Sequence, residues 1–284
     1  MYQTTPRGSK MKPKKIKYSD LIGTFEQQRA VVEQFNLIDD DFFAVVMENK
    51  KACEKLLQIL LQKDDLRVIE VTPQRSIRNI FTRSVILDVL AEDSEHKLYN
   101  IEVQTADNDD FPRRMRYNQA SIDKNFFPKN KKYKTMTDVY LILISSFDVF
   151  RLGKMSYEVV KVIKGTDHIV DDGVHELYFN SEVQENNSEI SDLMQYFINS
   201  DSKNNQFGEL SEEVNKIKTT PKGVSGMCEA IETLVSEQNA IAEKKSRIEN
   251  AKTMLIDNMP YEAVAKYSGL SIEEVKALAN EMSQ

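Results

Sequence analysis

The sequence predicts an α/β fold, a mixed β-sheet core flanked by helices, followed by an all-helical C-terminal extension. Three observations carry that prediction. Two runs rich in β-branched residues, Ser84–Ala91 and Lys97–Gln104, flank the polar segment Glu92–His96 and read as a β-hairpin. A continuous apolar run, Asp138–Ser146, follows a helical segment and suits a buried central strand parallel to a hairpin strand, which makes the sheet mixed. From Glu182 onward the chain turns polar, Asn-rich and acidic and strand signals stop, so the core is expected over 21–185 and the helical region over 186–284.

Residues 1–20 read as a flexible basic arm, with Arg7, Lys10, Lys12, Lys14, Lys15 and Lys17 and no acid among them up to Lys17. Such an arm either touches phosphates or simply keeps the chain soluble. Asp39, Asp40 and Asp41 precede a helical pattern that places Phe43, Val46 and Met47 on one side, then, after a break near Asn49, Leu56, Leu57 and Leu60. The alternation VIEV, from Val68, predicts a short strand before the hairpin, with Arg75, Arg78 and Arg83 turned towards a groove. A loop of Glu92–His96 pairs Ala91 with Lys97 and Asp88 with Asn100, which sets Glu102 diagonal to Asp88 at roughly 7 Å.

Asp107–Asp110 is a cluster of N-caps, Pro112 fits the first turn, and a helix is expected to about Asn125, its inner stripe Met115, Gln119, Ile122 and Phe126. Arg113 or Arg114, Tyr117, Ser121 and Lys124 fall on a neighbouring face. From Phe111 to Lys134 there are eight basic residues and one acid, the strongest local positive field in the chain. Tyr157–Lys164 and Glu176–Phe179 read as strands extending the sheet edge, with Asp171–Gly173 as the turn between them. Short helices at Ser191–Asn199 and Glu209–Lys218 precede a long helix at about 222–257. Met227, Leu234, Ile241, Ile248 and Leu255 recur there every seven residues, while Ile231, Gln238 and Lys245 drift to polar. That half-seam either joins copies of the chain into a homo-oligomer or packs along its own domain. The end, about 260–282, forms a helix-turn-helix-like pair around Gly269, with Ser271 and Glu274 as a capping box. Its second helix is acidic, which is poor for reading a DNA groove and suits protein contact or packing at least as well.

The 284 residues, 40% hydrophobic, suffice for one core plus an appendage. No apolar run is long enough to span a membrane and the start has no secretory pattern, so a soluble, cytoplasmic protein is expected. Cys53 and Cys228 suggest reduced thiols, and three unclustered histidines argue against zinc chemistry. The net charge of −7 does not favour DNA, but its uneven spread does.

Asp88 and Glu102 are the anomaly. Each sits among Ile, Leu and Val, where an unpaired carboxylate costs several kcal/mol. On one face of adjacent strands the two can hold one cation. The pattern is an Asp, thirteen residues, then Glu-Val-Gln.

That pattern resembles the PD-(D/E)XK nuclease superfamily and, more narrowly, its PD-(D/E)XK nuclease family transposases, or Rpn family recombination-promoting nucleases, which typically carry Gln in place of Lys. The resemblance covers about Asn36 to Asn180, through NLIDDDFFAVVME, RSVILDVLAED, YNIEVQTAD, RRMRYNQASID, DVYLILISSFDVF and DDGVHELYFN in order. It implies a restriction-endonuclease-like core and a metal-dependent DNA endonuclease linked to recombination, mobile elements or phage defence. Asp88 and Glu102 would then hold Mg²⁺, or another divalent cation such as Mn²⁺ or Ca²⁺. Asp40, three residues before Phe43, would be a further carboxylate, and the Val103 carbonyl would complete the coordination; the alternative for Asp40 is helix capping alone. Gln104 takes the catalytic Lys position and can orient water but supplies no charge. Arg114 and Tyr117 match an Arg-x-x-Tyr-Tyr motif in which Asn118 departs from the second Tyr, and with Arg113 and Lys124 they would bind DNA phosphates. The rival expectation is a nuclease fold with weak or no turnover that binds DNA or a partner protein.

Overall fold

The computed structural model describes residues 23–77 and 85–282. The basic arm, Arg78 and Arg83 lie outside the described residues. The chain divides into two compact units, one running to Cys228 and the other from Glu229.

The first unit opens on α1 (Phe25–Val32), a helix that no apolar stripe announces. A capping box starts it: Thr24 Oγ1 accepts from the Gln27 N–H, and Gln27 Oε1 accepts from the Thr24 N–H at 2.8 Å. In α2 (Asp40–Met47) Asp39 holds the N-cap position, yet its carboxylate accepts from the Asn36 N–H at 2.8 Å and from no helix N–H. Asn49 does cap α3 (Lys50–Leu61), accepting from the Lys51 and Ala52 amides, which explains the break between the helices.

Next come β1 (Val68–Ile77), β2 (Val85–Asp93), β3 (Leu98–Gln104), α4 (Phe111–Phe126), β4 (Val139–Ser145), β5 (Ser156–Val159) and β6 (Val174–Asn180). The strands form one sheet in the order β1-β2-β3-β4-β6-β5. Pairings are antiparallel from β1 to β3, parallel from β3 through β4 to β6, and antiparallel again to β5. This is the mixed, helix-flanked α/β core that the sequence predicts. β1 is longer than the four-residue alternation suggests and runs through Pro73. An edge strand tolerates proline because one side of its backbone has no ladder to serve. The single strand expected at Tyr157–Lys164 stops at Val159, and only an isolated bridge, Val162 to Ile169, continues it.

The hairpin register differs by two residues from the expected one. Ala91 pairs with Tyr99 and Leu90 with Asn100, so the loop is Ser94–Lys97. Asp93 is the cause. Its Oδ1 accepts from the Glu95 and Lys97 amides, both at 2.9 Å, and its Oδ2 from the Tyr99 hydroxyl at 2.6 Å. Those bonds close a tighter loop, with His96 at φ 62°, and let β2 run on to Asp93. Parity is kept, because a shift of two leaves every side chain on its expected face.

On one face of the sheet Phe111, Met115 and Ile122 of α4 pack against Leu90, Leu98, Leu141 and Leu143. Burial of each such side chain contributes about 2 kcal/mol. The buried stripe takes in Asn118 rather than Gln119, whose carboxamide bonds Asp123, and Phe126 is exposed. On the other face Lys63, just beyond α3, lies 5.5 Å from the centre of the Tyr140 ring, which is stacked between Tyr99 and His175.

Helices α5 (Glu189–Ile198) and α6 (Glu209–Thr219) belong to the first unit and pack on α3, with α6 also on α1 and α2. Lys218 ties them in: its buried ammonium donates to the Ser200 and Glu33 carbonyls at 2.6 and 3.0 Å and sits over the Phe42 ring. Burial pushes its pKa down to about 8. The long helix α7 (Pro221–Ile256) starts in the first unit and ends in the second. There Ile248 and Leu255 pack against a small core of Ala251, Val264, Leu270, Val275 and Leu278, supplied with α8 (Tyr261–Ser268) and α9 (Ile272–Met282). That end of the heptad stripe is therefore used within the chain; the side chains of Leu234, Gln238 and Ile241 lie outside the described residues. The Ser271–Glu274 capping box forms as expected. Among the described residues neither Cys53 nor Cys228 is in a disulfide, and burial pushes the Cys53 thiol up to about 12. Among the described residues, no helix is long and apolar enough to cross a membrane.

Candidate active site

Asp88 and Glu102 meet at the point where the hairpin ladder gives way. Regular pairing of β2 with β3 runs as far as Val89 and Ile101, and the next positions in that register are Asp88 and Glu102 themselves. Instead of exchanging backbone bonds, the two strands exchange side chains for backbone. The Asp88 N–H donates to Glu102 Oε1 at 3.3 Å, and the Val103 N–H donates to Asp88 Oδ2 at 3.0 Å. The two acids are directly opposed rather than diagonal, closer than the expected register allows.

Glu102 is fully buried and completely solvated by protein. Its Oε1 also accepts from Asn100 Nδ2 at 2.9 Å and Asn118 Nδ2 at 3.3 Å, and its Oε2 accepts from Arg114 Nη2 at 2.7 Å. Four N–H donors fill about the four lone-pair sites that a carboxylate offers. Asp88 is less well served, since its Oδ1 has no hydrogen bond among the described residues. Burial, and then the charge of Glu102, holds the Asp88 carboxyl well above its ordinary value. Burial raises Glu102 too, against the opposing pull of Arg114 and Asn100. Glu102, with its arginine and its amides, is the member that stays charged, and Asp88 is the one that takes a proton first.

The other expected residues are placed as follows. Asp40 is exposed in the first turn of α2 and near enough to Asp88 to raise its pKa by repulsion. It does not complete a group, for no three His, Cys, Asp or Glu side chains among the described residues are gathered where they could hold a metal. The amide of Val103 is turned towards Asp88. Gln104 ends β3, half-buried, beside Ser145 of β4. Arg114 reaches the site, whereas Arg113 is exposed and paired with Asp110 at 3.0 Å. Tyr117 and Lys124 are exposed on α4, about one and three turns beyond Arg114. Arg75 is exposed on β1.

Two residues of the site were not singled out from the sequence. Asn100 and Asn118 are both buried, and Asn118 Nδ2 also donates to Asn100 Oδ1 at 3.2 Å. The signal was present. Asn100 lies two places before Glu102 and so on its face of the strand, and Asn118 lies four after Arg114 and so on its face of the helix.

The donor chemistry suits a hard cation, because among the described residues it offers two opposed carboxylates, one with an oxygen that makes no hydrogen bond, against one arginine. Coordination by Glu102, however, is contested by the bonds it already makes. A family model for PD-(D/E)XK nuclease family transposases matches residues 41–251, which takes in Asp88, Glu102, Gln104 and Arg114 and begins one residue after Asp40. No curated protein and no solved structure matches the chain. With its mixed helix-flanked sheet, its paired acids on adjacent strands and a family match over most of its length, this chain belongs to the PD-(D/E)XK nuclease family transposases, with the restriction-endonuclease-like α/β fold.

Proposed function

We propose that this nuclease-like chain is a metal-dependent DNA endonuclease that hydrolyses phosphodiester bonds in the cytoplasm. The observation that carries the proposal is the opposed, buried pair Asp88 and Glu102, which burial and mutual repulsion make costly and to which the fold nevertheless supplies five N–H donors, four on Glu102 and one on Asp88. Asp88 Oδ1 and Glu102 would hold the cation, Mg²⁺ or a relative such as Mn²⁺, with the Val103 carbonyl beside them and Asp40 acting from a distance. A divalent cation there supplies Lewis acidity towards the phosphate and lowers the pKa of a water. Asn100 and Asn118 keep Glu102 in one rotamer. Gln104 orients a water or substrate oxygen through its amide, and Arg114 neutralises a phosphate, with Tyr117, Arg113 and Lys124 along the approaching backbone. The family description supports a role in recombination or mobile elements. Self-association through α7 is a separate proposal, resting on the heptad stripe.

A second reading has its own support. Four donors on Glu102 describe a carboxylate at rest, as in a nuclease-derived DNA-binding module without turnover. Nicking of a supercoiled plasmid with Mg²⁺, with Mn²⁺ and with EDTA separates the two, using Glu102→Ala as control. Metal-dependent nicking that the control lacks supports the enzyme. DNA binding without nicking under either metal would leave only the module.

A further inference from the structure

We infer, on the premise of the metal-dependent function proposed above, that Arg114 is a gate: it occupies Glu102 in the cation-free protein and must leave it before a divalent cation can bind. The four donors on Glu102 are not equal. The Asp88 amide belongs to the strand, and Asn100 and Asn118 are buried and bonded to each other, so none of these three can withdraw without disturbing the core. Arg114 is different. Its side chain is 31% exposed, it comes from the surface of α4, and among the described residues its guanidinium bonds Glu102 Oε2. It is a long flexible cation with a way out to solvent, and it holds the oxygen that a metal would need.

A gate of this kind couples two ligands through one side chain. Once displaced, the guanidinium lies free at the mouth of the site, where a phosphodiester oxygen is its natural acceptor. By linkage, whatever favours the displaced position of Arg114, such as a phosphate, favours cation binding by the same factor. In the cation-free resting protein the charge of Glu102 would thus be balanced by Arg114, and a cation and DNA would engage the site together.

The opposite role is a scaffold, in which Arg114 holds Glu102 in place for the metal. The two predict opposite signs. The test is equilibrium Mn²⁺ binding to the full chain, followed by the electron paramagnetic resonance of free Mn²⁺, without DNA. Arg114→Met, and the milder Arg114→Gln if Met impairs folding by circular dichroism, should bind Mn²⁺ at least tenfold more tightly than the wild type. Arg113→Met removes a charge from the same helix without touching Glu102, and should change Mn²⁺ affinity by less than about twofold. Thermal melting gives a second readout, with Mn²⁺ raising the melting temperature of the Arg114 variants more than that of the wild type. Equal or weaker Mn²⁺ binding in the Arg114 variants, or an equal gain in Arg113→Met, would overturn the gate while leaving the metal site standing. Absence of Mn²⁺ binding in every form would remove the metal site itself, and the gate with it.

Discussion

Replacing Asp88 by Asn in the cation-free protein removes a charge while keeping the side chain's shape. Asn retains an oxygen for the Val103 N–H, now 3.0 Å from Asp88 Oδ2, and its amide can occupy the side where Oδ1 makes no bond among the described residues. Carboxylates on opposed strand positions lie about 5 Å apart and repel by about 3 kcal/mol at an effective dielectric of 20. Exchanging a charged acceptor for a neutral one at Val103 gives back about 1 kcal/mol. The net expectation is a gain of about 2 kcal/mol, or a melting temperature about 4–8 °C higher for a domain of this size. The pH dependence has a definite sign. A carboxyl whose pKa is raised on folding contributes its stability below the ordinary value of 3.8, and loses it as pH rises through the raised folded value. The advantage of Asp88→Asn should therefore be absent near pH 4 and grow towards pH 8. Glu102→Gln should instead destabilise, because whichever way the amide turns, an N–H₂ faces either Arg114 or the asparagine and backbone donors. Its cost is about 2 kcal/mol. Thermal melting in EDTA between pH 4 and 8.5 reads both. An Asp88→Asn protein less stable than the wild type at pH 8, or a Glu102→Gln protein as stable, would refute this account of the pair.

Asn118→Ala leaves Glu102 and Asn100 each short of one donor, and should lower stability by about 1–2 kcal/mol in thermal melts; an unchanged melting temperature would mean that water replaces the amide. Burial and the neighbouring Asp40 and Asp39 raise Asp41 to about 6, so Asp41→Asn should stabilise by about 1 kcal/mol above pH 6, after allowance for solvent screening, and make no difference near pH 4. Gln104→Lys places an ammonium where a water or phosphate oxygen would lie, so cleavage should stay within about tenfold of wild type or rise. A fall beyond about a hundredfold, in a variant that folds and binds Mn²⁺, would show that the amide makes bonds a lysine cannot replace.

Much of the site was legible because charge in an apolar strand is rare: Asp88 and Glu102 stood out against their neighbours, and parity placed them on one face. Register was not legible, since it turned on the Asp93 carboxylate closing the loop with three bonds, and an acid in a turn looks the same whether or not it does so. Asn100 and Asn118 escaped notice for a related reason. A buried amide announces itself only when the acceptor it serves is known, whereas a buried acid is anomalous on its own. The α4 stripe was placed one residue out because Asn118, polar in sequence, is buried in order to serve Glu102. α1 carried its signal in the capping pair Thr24 and Gln27 and not in apolar periodicity.

The central claim is that the Asp88–Glu102 pair is kept for chemistry at the expense of stability. The direct measurement is plasmid nicking by Asp88→Asn in Mg²⁺, made on the same preparation whose melting temperature is taken in EDTA at the same pH. The account predicts nicking reduced at least a hundredfold, about 2.7 kcal/mol of lost transition-state stabilisation, in a protein that melts at or above the wild-type temperature. Wild-type nicking by a folded Asp88→Asn protein would contradict it, because the carboxylate would then serve neither the cation nor the reaction.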